Sequence, residues 1–146
     1  MTTIQLSQRI PATPQAVYDY VTRPARWKQW HPASLGAQDH ADTSLTQGAT
    51  FEEDIRSAGF TRHLRWIVKD SQPGIRWEAH AVMDDGSTVQ LLYEFAADGT
   101  GMRFTRTLNY SVKPLLLRWA NDLVMWRKVR RESGKAMANL AARFGD

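Results

Sequence analysis

The sequence predicts a single domain of the α+β class, in which a curved antiparallel sheet of about six to seven strands wraps around a long C-terminal helix. Two observations carry this prediction. Between residues 48 and 110, segments of alternating apolar and polar residues follow one another, and all of them agree on which face is apolar. After Pro114, apolar residues recur at helical spacing through roughly thirty residues. A helix of that length can cover the apolar face of the sheet.

The residues before this sheet predict one strand and two short helices. The alternation in Ile4–Ile10 is typical of a half-buried strand. Thr13 can cap a helix that begins at Pro14, because proline is favoured at the first helical position. Pro24 ends that helix and begins a second short one. Residues 34–47 give only a weak strand signal, so their structure is left open.

The segment from residue 48 to 110 predicts a meander of strands joined by short turns. A two-residue turn at residues 58–59 places Glu53 opposite Leu64. In the last hairpin, the alternation places Arg106 opposite Leu91. The residues expected on the apolar face are Phe51, Glu53, Ile55, Ser57, Phe60, Arg62, Leu64, Trp66, Val68, Ile75, Trp77, Ala79, Ala81, Met83, Val89, Leu91, Tyr93, Phe95, Met102, Phe104, Arg106, Leu108 and Tyr110.

The C-terminal helix has an apolar stripe with one polar interruption. The stripe consists of Leu116, Trp119, Leu123, Trp126, Met137, Leu140 and Phe144. It is interrupted at Arg130, Ser133 and Gly134, and a glycine inside a helix costs about 1 kcal/mol relative to alanine. A bend, a close approach of two backbones, or a polar end of a cavity would each explain this interruption.

The composition excludes several classes of chemistry. The chain has no cysteine, which excludes disulfides, a thiolate nucleophile and cysteine-ligated metals. It contains no signal-peptide pattern and no apolar run near the ~20 residues of a membrane span, so we expect a soluble, cytoplasmic protein without stable membrane insertion. Motifs for nucleotide binding, for a serine nucleophile and for a zinc protease are missing, and no cofactor is expected.

The positive charge of the chain lies almost entirely in its C-terminal segment. The net charge is +4, with a pI of about 9.7. From Lys113 to Asp146, basic residues outnumber acidic ones, and the remainder of the chain is slightly acidic. We favour a solvated helix face over a phosphate-binding surface, and therefore expect no nucleic-acid partner.

Four segments resemble a known family. They are Ile10–Tyr18, Trp27–Pro32, Tyr93–Phe95 and Met102–Arg106. On these segments the chain resembles, over essentially its whole length (residues 1–146), the polyketide cyclase/dehydrase and lipid-transport-like branch of the SRPBCC superfamily, which is related to birch-pollen-allergen and START domains. The resemblance implies the helix-grip fold, with an internal cavity between the sheet and the C-terminal helix. It also implies a hydrophobic ligand, such as a lipid or a polyketide, and leaves open whether a reaction is catalysed.

Three charged residues are expected to point into this cavity. Glu53 and Arg62 lie diagonally across two strands, which predicts an ion pair between them. Arg106 has no acidic neighbour in the predicted register and is a candidate anchor for a carboxylate, phenolate or enolate oxygen; the alternative is a solvated position at the cavity mouth. Ala79 and Ala81 predict where the cavity is widest. The candidate ligand-binding residues are Glu53, Arg62, Trp66, Trp77, Ala79, Ala81, Tyr93, Phe104, Arg106, Tyr110, Leu123 and Trp126.

The four histidines do not suggest a metal site. The alternation places His63 and His80 on the outer face of the sheet, where histidines are usually solvated. His31, beside Trp30, is expected near the cavity entrance, and His40 lies in a polar loop.

Three functions remain open from the sequence. The leading hypothesis is a module that binds a hydrophobic, lipid-like or polyketide-like molecule, as a monomer or a homodimer. The second is an enzyme of the cyclase or dehydrase type, with Glu53 as a weak candidate for the base and Arg62, Arg106 or a tyrosine as the donor to an enolate. The third is a protein-interaction module, of the stress-response or toxin-like kind, that uses the basic cluster Arg127–Arg131.

Overall fold

The computed structural model describes residues 2–38, 42–57, 60–111 and 126–145, without the side chains of residues 38, 57 and 60. This part of the chain forms seven strands, two α-helices and one 3₁₀ helix. In chain order these are β1 (Thr2–Ile10), α1 (Pro14–Val21), the 3₁₀ helix (Pro24–Gln29), β2 (Ser34–Gln38), β3 (Thr50–Ser57), β4 (Phe60–Gln72), β5 (Arg76–Met83), β6 (Thr88–Asp98), β7 (Gly101–Ser111) and α2 (Trp126–Phe144).

The strands form one antiparallel sheet in the order β1-β7-β6-β5-β4-β3-β2. The sheet curls into a half-barrel, and the long helix α2 belongs to the same helix-grip arrangement. The segment of short helices between β1 and β2 connects the two edge strands. The predicted α+β class and helix-grip fold are confirmed, and the uncertain region contains the edge strand β2.

The first helix begins as its sequence predicts. The side chain of Thr13 accepts a hydrogen bond from the backbone N–H of Ala16 at 3.2 Å, and Pro14 is the first helical residue. The helix buries Val17, Tyr18 and Val21 against the sheet side of the domain. The chain then enters the 3₁₀ helix, which carries Trp27 of the candidate site, and Trp30 follows directly after it.

The register of the sheet is confirmed in its first hairpin and corrected in its last one. Glu53 lies opposite Leu64, as predicted. Arg106, however, lies opposite Tyr93 and not opposite Leu91. The β6–β7 turn is tighter than expected, because Asp98 pairs directly with Gly101. Gly99, within this turn, has φ of 61°, a left-handed conformation that glycine adopts without strain.

Ile75 is a second correction. It was expected on the apolar face, but its side chain is 61% exposed. The reason is that β5 begins one residue later, while the backbone N–H of Ile75 closes a turn onto the carbonyl of Gln72 at 2.9 Å. The neighbouring Gly74 has a positive φ of 74°, as such a turn requires. Ile75 therefore belongs to the turn, and the alternation of inward and outward side chains in β5 does not extend to it.

The described part of α2 buries the side of the helix that the sequence predicts. Ala136, Met137 and Leu140 are buried, and Phe144 packs at the edge of the core. The predicted stripe residues Leu116, Trp119 and Leu123 lie outside the described residues. Among the helices that the structure describes, none has the length and apolar character needed to cross a membrane.

Candidate functional site

A pocket of about 140 Å³ lies between the inner face of the sheet and α2. Its wall is mainly apolar, with Leu64, Val89, Leu91 and Leu108 contributed by three strands. The helix α2 contributes Val129, Glu132 and Ser133, and the segment around the 3₁₀ helix contributes Trp27, Trp30, His31, Ala33 and Ser34. A few polar side chains in an apolar wall are typical of small-molecule sites.

Half of the predicted site residues line this pocket. They are Glu53, Arg62, Trp66, Tyr93, Arg106 and Tyr110. Four others, Trp77, Ala79, Ala81 and Phe104, are buried in the hydrophobic core and do not line the pocket. Trp126 is 38% exposed and lies beside the guanidinium of Arg130, away from the pocket wall. Leu123 lies outside the described residues.

The prediction that the cavity is widest at Ala79 and Ala81 is wrong, because aromatic rings pack over this part of the sheet. The 3₁₀ helix places the ring of Trp27 edge-on against those of Trp66 and Trp77, with centroids 5.8 and 6.0 Å apart. The indole N–H of Trp27 donates to the backbone carbonyl of Val21 at 2.7 Å, which fixes the ring. The space next to Ala79 and Ala81 is thus filled by tryptophan rings, and these two alanines do not line the pocket.

Glu53, on β3, is a carboxyl group buried in the pocket wall with 4% of its surface exposed. The indole N–H of Trp66 donates to its Oε1 at 3.1 Å. Burial raises its pKa from 4.5 to about 7, although Ser34, Trp66 and the charge of Arg106 favour the ionised form. The hydroxyl of Ser34 lies close enough to Glu53 to favour its ionised form, although the Oγ atom forms no hydrogen bond with a described residue. Glu53 can therefore exchange a proton near neutral pH.

Arg106, on β7, is a buried cation held by neutral partners. Only 7% of its surface is exposed, and its Nη1 donates to Ser133 Oγ of α2 at 3.1 Å. The guanidinium also lies beside the phenol of Tyr93, whose pKa burial raises to about 12. Its Nε has no hydrogen-bond partner among the described residues. The stripe interruption at Ser133 is therefore a polar contact at one end of the pocket.

Arg62 corrects the expected ion pair with Glu53. Its Nη1 instead pairs with the carboxylate of Asp85, in the turn between β5 and β6. That carboxylate also accepts a hydrogen bond from the backbone N–H of Ser87 at 2.9 Å. The turn supplies an acidic partner that the alternation of the strands does not reveal. Arg106 is therefore the arginine whose charge acts on Glu53.

His31 lines the pocket, in keeping with its expected place near the cavity entrance. Its Nδ1 accepts a hydrogen bond from the backbone N–H of Ala33 at 3.1 Å. Burial, followed by the positive charge of Arg106, lowers the pKa of His31 well below its ordinary value. The ring is therefore neutral at pH 7 and adds no charge to the site.

The other described histidines lie on the outer face, as predicted from their parity. His63 lies between Glu52 and Asp54, at 2.8 and 2.6 Å, and these carboxylates raise its pKa. His80 lies 2.6 Å from Glu78. The structure shows no cluster of three metal-ligating side chains in residues 2–38, 42–57, 60–111 and 126–145. His40 lies outside these ranges.

Comparison with protein families places this pocket in a known context. The family model described as "Polyketide cyclase / dehydrase and lipid transport" matches residues 1–145. The chain belongs to this family. Membership in the polyketide cyclase / dehydrase and lipid transport family agrees with the half-barrel sheet and the long C-terminal helix. No curated protein shows significant similarity to the chain.

Solved structures share the fold of this family member at low sequence identity. TTHA0849 from Thermus thermophilus is 15% identical with a TM-score of 0.79, covering 98% of this chain and 97% of its own. A START superfamily protein from Mycobacterium smegmatis is 11% identical with a TM-score of 0.73, covering 97% of each chain. DynU16, a putative protein in the dynemicin biosynthetic locus, is 19% identical with a TM-score of 0.57, covering 92% of this chain and 49% of its own. At these identities the similarity shows the fold alone.

Proposed function

We propose that this domain binds a hydrophobic small molecule in the pocket between the sheet and α2. The observation that carries the proposal is an apolar wall interrupted by two buried charged groups, Glu53 and Arg106, which no mutual ion pair neutralises. A structural core normally pairs or excludes such charges, because burial of an unpaired charge is unfavourable. A ligand with an apolar body and a polar end would use both kinds of surface.

The size of the pocket favours a compact ligand. A dry apolar cavity of ~150 Å³ holds a molecule such as benzene. The volume of about 140 Å³ therefore fits a single ring, or an equivalent part of a lipid-like or polyketide-like molecule. We expect the ligand to lie among Leu64, Leu91 and Leu108, with its polar end toward the buried charges.

Native mass spectrometry of the gently purified protein tests this proposal. We expect a bound species of small mass that denaturation releases, and a rise in melting temperature when compact aromatic or aliphatic compounds are added. Leu91→Phe would fill the pocket and should abolish that rise. Val82→Phe, at an exposed position of β5, is the matched control and should preserve it. A protein that carries nothing and responds to no such compound contradicts the proposal.

A cyclase or dehydrase activity is the second candidate, and it is favoured by the protonation behaviour of Glu53. A general base works best when its pKa lies near the working pH, and burial raises the pKa of Glu53 to about 7. Its carboxylate would take a proton from the carbon next to a ligand carbonyl. Arg106 would stabilise the negative charge that then develops on the carbonyl oxygen.

Two substitutions test this mechanism once a turnover assay is established. Glu53→Gln removes the base while keeping an oxygen for the indole of Trp66, and Arg106→Leu removes the donor. We expect each to lower kcat by at least about a hundredfold, a typical contribution of a general base or an oxyanion donor. Activity that survives both substitutions contradicts the mechanism and leaves the binding function in place.

A further inference from the structure

Two buried N–H groups of residues that line the pocket have no hydrogen-bond partner among the described residues. From them we propose that the ligand carries an acidic oxygen, a carboxylate or a phenolate, which binds between Arg106 and Trp30. The inference rests on the proposed binding function and specifies the chemical class of the ligand. The two groups are Trp30 Nε1 and Arg106 Nε, and neither has a partner among the described residues. Both nitrogens can only donate, so only an acceptor atom can satisfy them.

The two donors belong to one polar end of the pocket. Trp30 and Arg106 both flank Tyr93: the rings of Trp30 and Tyr93 have centroids 6.5 Å apart, and the guanidinium lies beside the phenol. The backbone carbonyl of Trp30 accepts a hydrogen bond from Asn139 Nδ2 of α2 at 3.1 Å. Ser133, on the same helix, holds Arg106. The helix α2 thus contacts both of the residues that carry the two donors.

Arg106 places a buried cation at this end of the pocket. Ser133 and Tyr93, the groups that contact the guanidinium of Arg106, are both neutral. His31 senses its charge but is itself neutral at pH 7. The charge of Arg106 acts on Glu53, but burial raises the pKa of Glu53 to about 7, so this carboxyl is only partly ionised at pH 7. Arg106 forms no ion pair with the residues that the structure describes. A buried cation without an ion pair is unfavourable, and an oxyanion would supply the missing counterion.

The charge distinguishes an acid from the other possible ligands. A neutral carbonyl would accept from the two N–H groups but would leave the charge of Arg106 without a counterion. An amine would repel the guanidinium and could not accept from either nitrogen. An acidic oxygen accepts hydrogen bonds from the two N–H groups and also provides a counterion for Arg106. Charge-assisted hydrogen bonds are about twice as strong as neutral ones. The apolar wall, with Leu91 and Leu108, then accommodates a single ring or a short chain.

Isothermal titration calorimetry with three probes of one shape tests the proposal. The probes are 3-phenylpropanoate, its methyl ester and 3-phenylpropan-1-amine, at pH 6 and low ionic strength. We expect the acid to bind at least about tenfold more tightly than the ester, as befits a charge-assisted hydrogen bond, and the amine not to bind. Equal binding of acid and ester overturns the acidic class while the binding function stands. Failure of all three probes to bind overturns both.

Variants locate the acid within the pocket. Arg106→Met should remove the preference for the acid over the ester, whereas Arg103→Met, at an exposed position of the same strand, should preserve it. Trp30→Phe keeps a ring of similar shape without the N–H and should weaken the acid severalfold, with little effect on the ester. If Arg106→Met does not fold, as judged by circular dichroism, Trp30→Phe and the neutral, polar replacement Arg106→Gln carry the test. An acid preference unchanged in folded Arg106 and Trp30 variants overturns the assignment.

Discussion

Glu53 on β3 and Arg106 on β7 line the same pocket, and the charge of Arg106 favours the ionised form of Glu53, yet the two side chains form no ion pair with each other. Three strands separate β3 from β7 in the sheet, and the curl of the half-barrel is what brings the two side chains to one space. The space between a buried acid and a buried base is where a ligand can bind.

Glu53→Gln should stabilise the protein at pH 8 and change its stability little at pH 4. The unfolded carboxyl loses its proton near pH 4.5, and the folded one near pH 7. Between these values the folded carboxyl holds its proton more tightly than the unfolded one, so the contribution of Glu53 to stability falls as the pH rises through this window and then levels off. The difference corresponds to about 3 kcal/mol. Urea unfolding at pH 4 and pH 8 should show the variant close to the native protein at pH 4 and more stable at pH 8. A stability difference between the variant and the native protein that is the same at pH 4 and pH 8 contradicts the prediction.

Trp66→Phe should raise the pKa of Glu53 further. The indole N–H of Trp66 donates to the Glu53 carboxylate at 3.1 Å and stabilises its ionised form. Without this donor, one of the interactions that counteract the effect of burial on the pKa of Glu53 is lost. Carbon-detected NMR titration of the glutamate carboxyl groups measures the change. Trp77→Phe is the control, because the indole of Trp77 donates to the backbone carbonyl of Leu45 and should leave the pKa of Glu53 unchanged.

Ala79→Leu should destabilise the protein by about 1 to 3 kcal/mol, the usual penalty for overpacking a core. Ala79 is fully buried, opposite Val68 and Leu91, and it lies outside the pocket wall. Val82→Leu, at an exposed position of the same strand, is the control and should change little. Chemical denaturation decides the matter. An Ala79→Leu variant as stable as the native protein would indicate free space at this position.

Leu140→Ala should cost about 2 to 5 kcal/mol, the range for deleting a buried leucine side chain. Leu140 is fully buried on the face of α2 that packs into the core. Lys135→Ala, at an exposed position of the same helix, should have a small effect. Thermal or urea unfolding compares the two. A similar loss in both variants would show that the burial of Leu140 contributes little to the stability of the domain.

The sequence was sufficient to predict the sheet and many of the residues in the site, because both follow from the alternation of side chains along a strand. Alternation fixes which side chains share a face, and this is why Glu53, Trp66, Tyr93 and Arg106 were all expected to point inward and do line the pocket. The register of the last hairpin was missed because it depends on which residue occupies the left-handed position of the turn. Gly99 occupies it, and the pairing moves Arg106 from Leu91 to Tyr93.

The remaining differences come from contacts between elements, which periodicity does not describe. The 3₁₀ helix packs Trp27 onto Trp66 and Trp77, and this shifts the pocket away from the alanines. The partner of Arg62 is Asp85, a turn residue that belongs to no alternating segment. Ser34 contributes a buried polar atom to the site from a segment with a weak strand signal. Trp30 contributes one from the segment Trp27–Pro32, whose sequence indicates a short helix but does not indicate that the indole N–H stays without a described partner.

The pairing of β1 with β7 has a consequence for how the chain acquires its structure. The side chains of Thr3 and Asn109 meet in this pair although they are 106 positions apart. During synthesis on the ribosome, β1 therefore cannot pair with its neighbour until β7 has been synthesised and has emerged. Closing so long a loop slows folding, and the inward residues of β1, such as Ile4 and Ile10, are exposed to aggregation or chaperones in the interval.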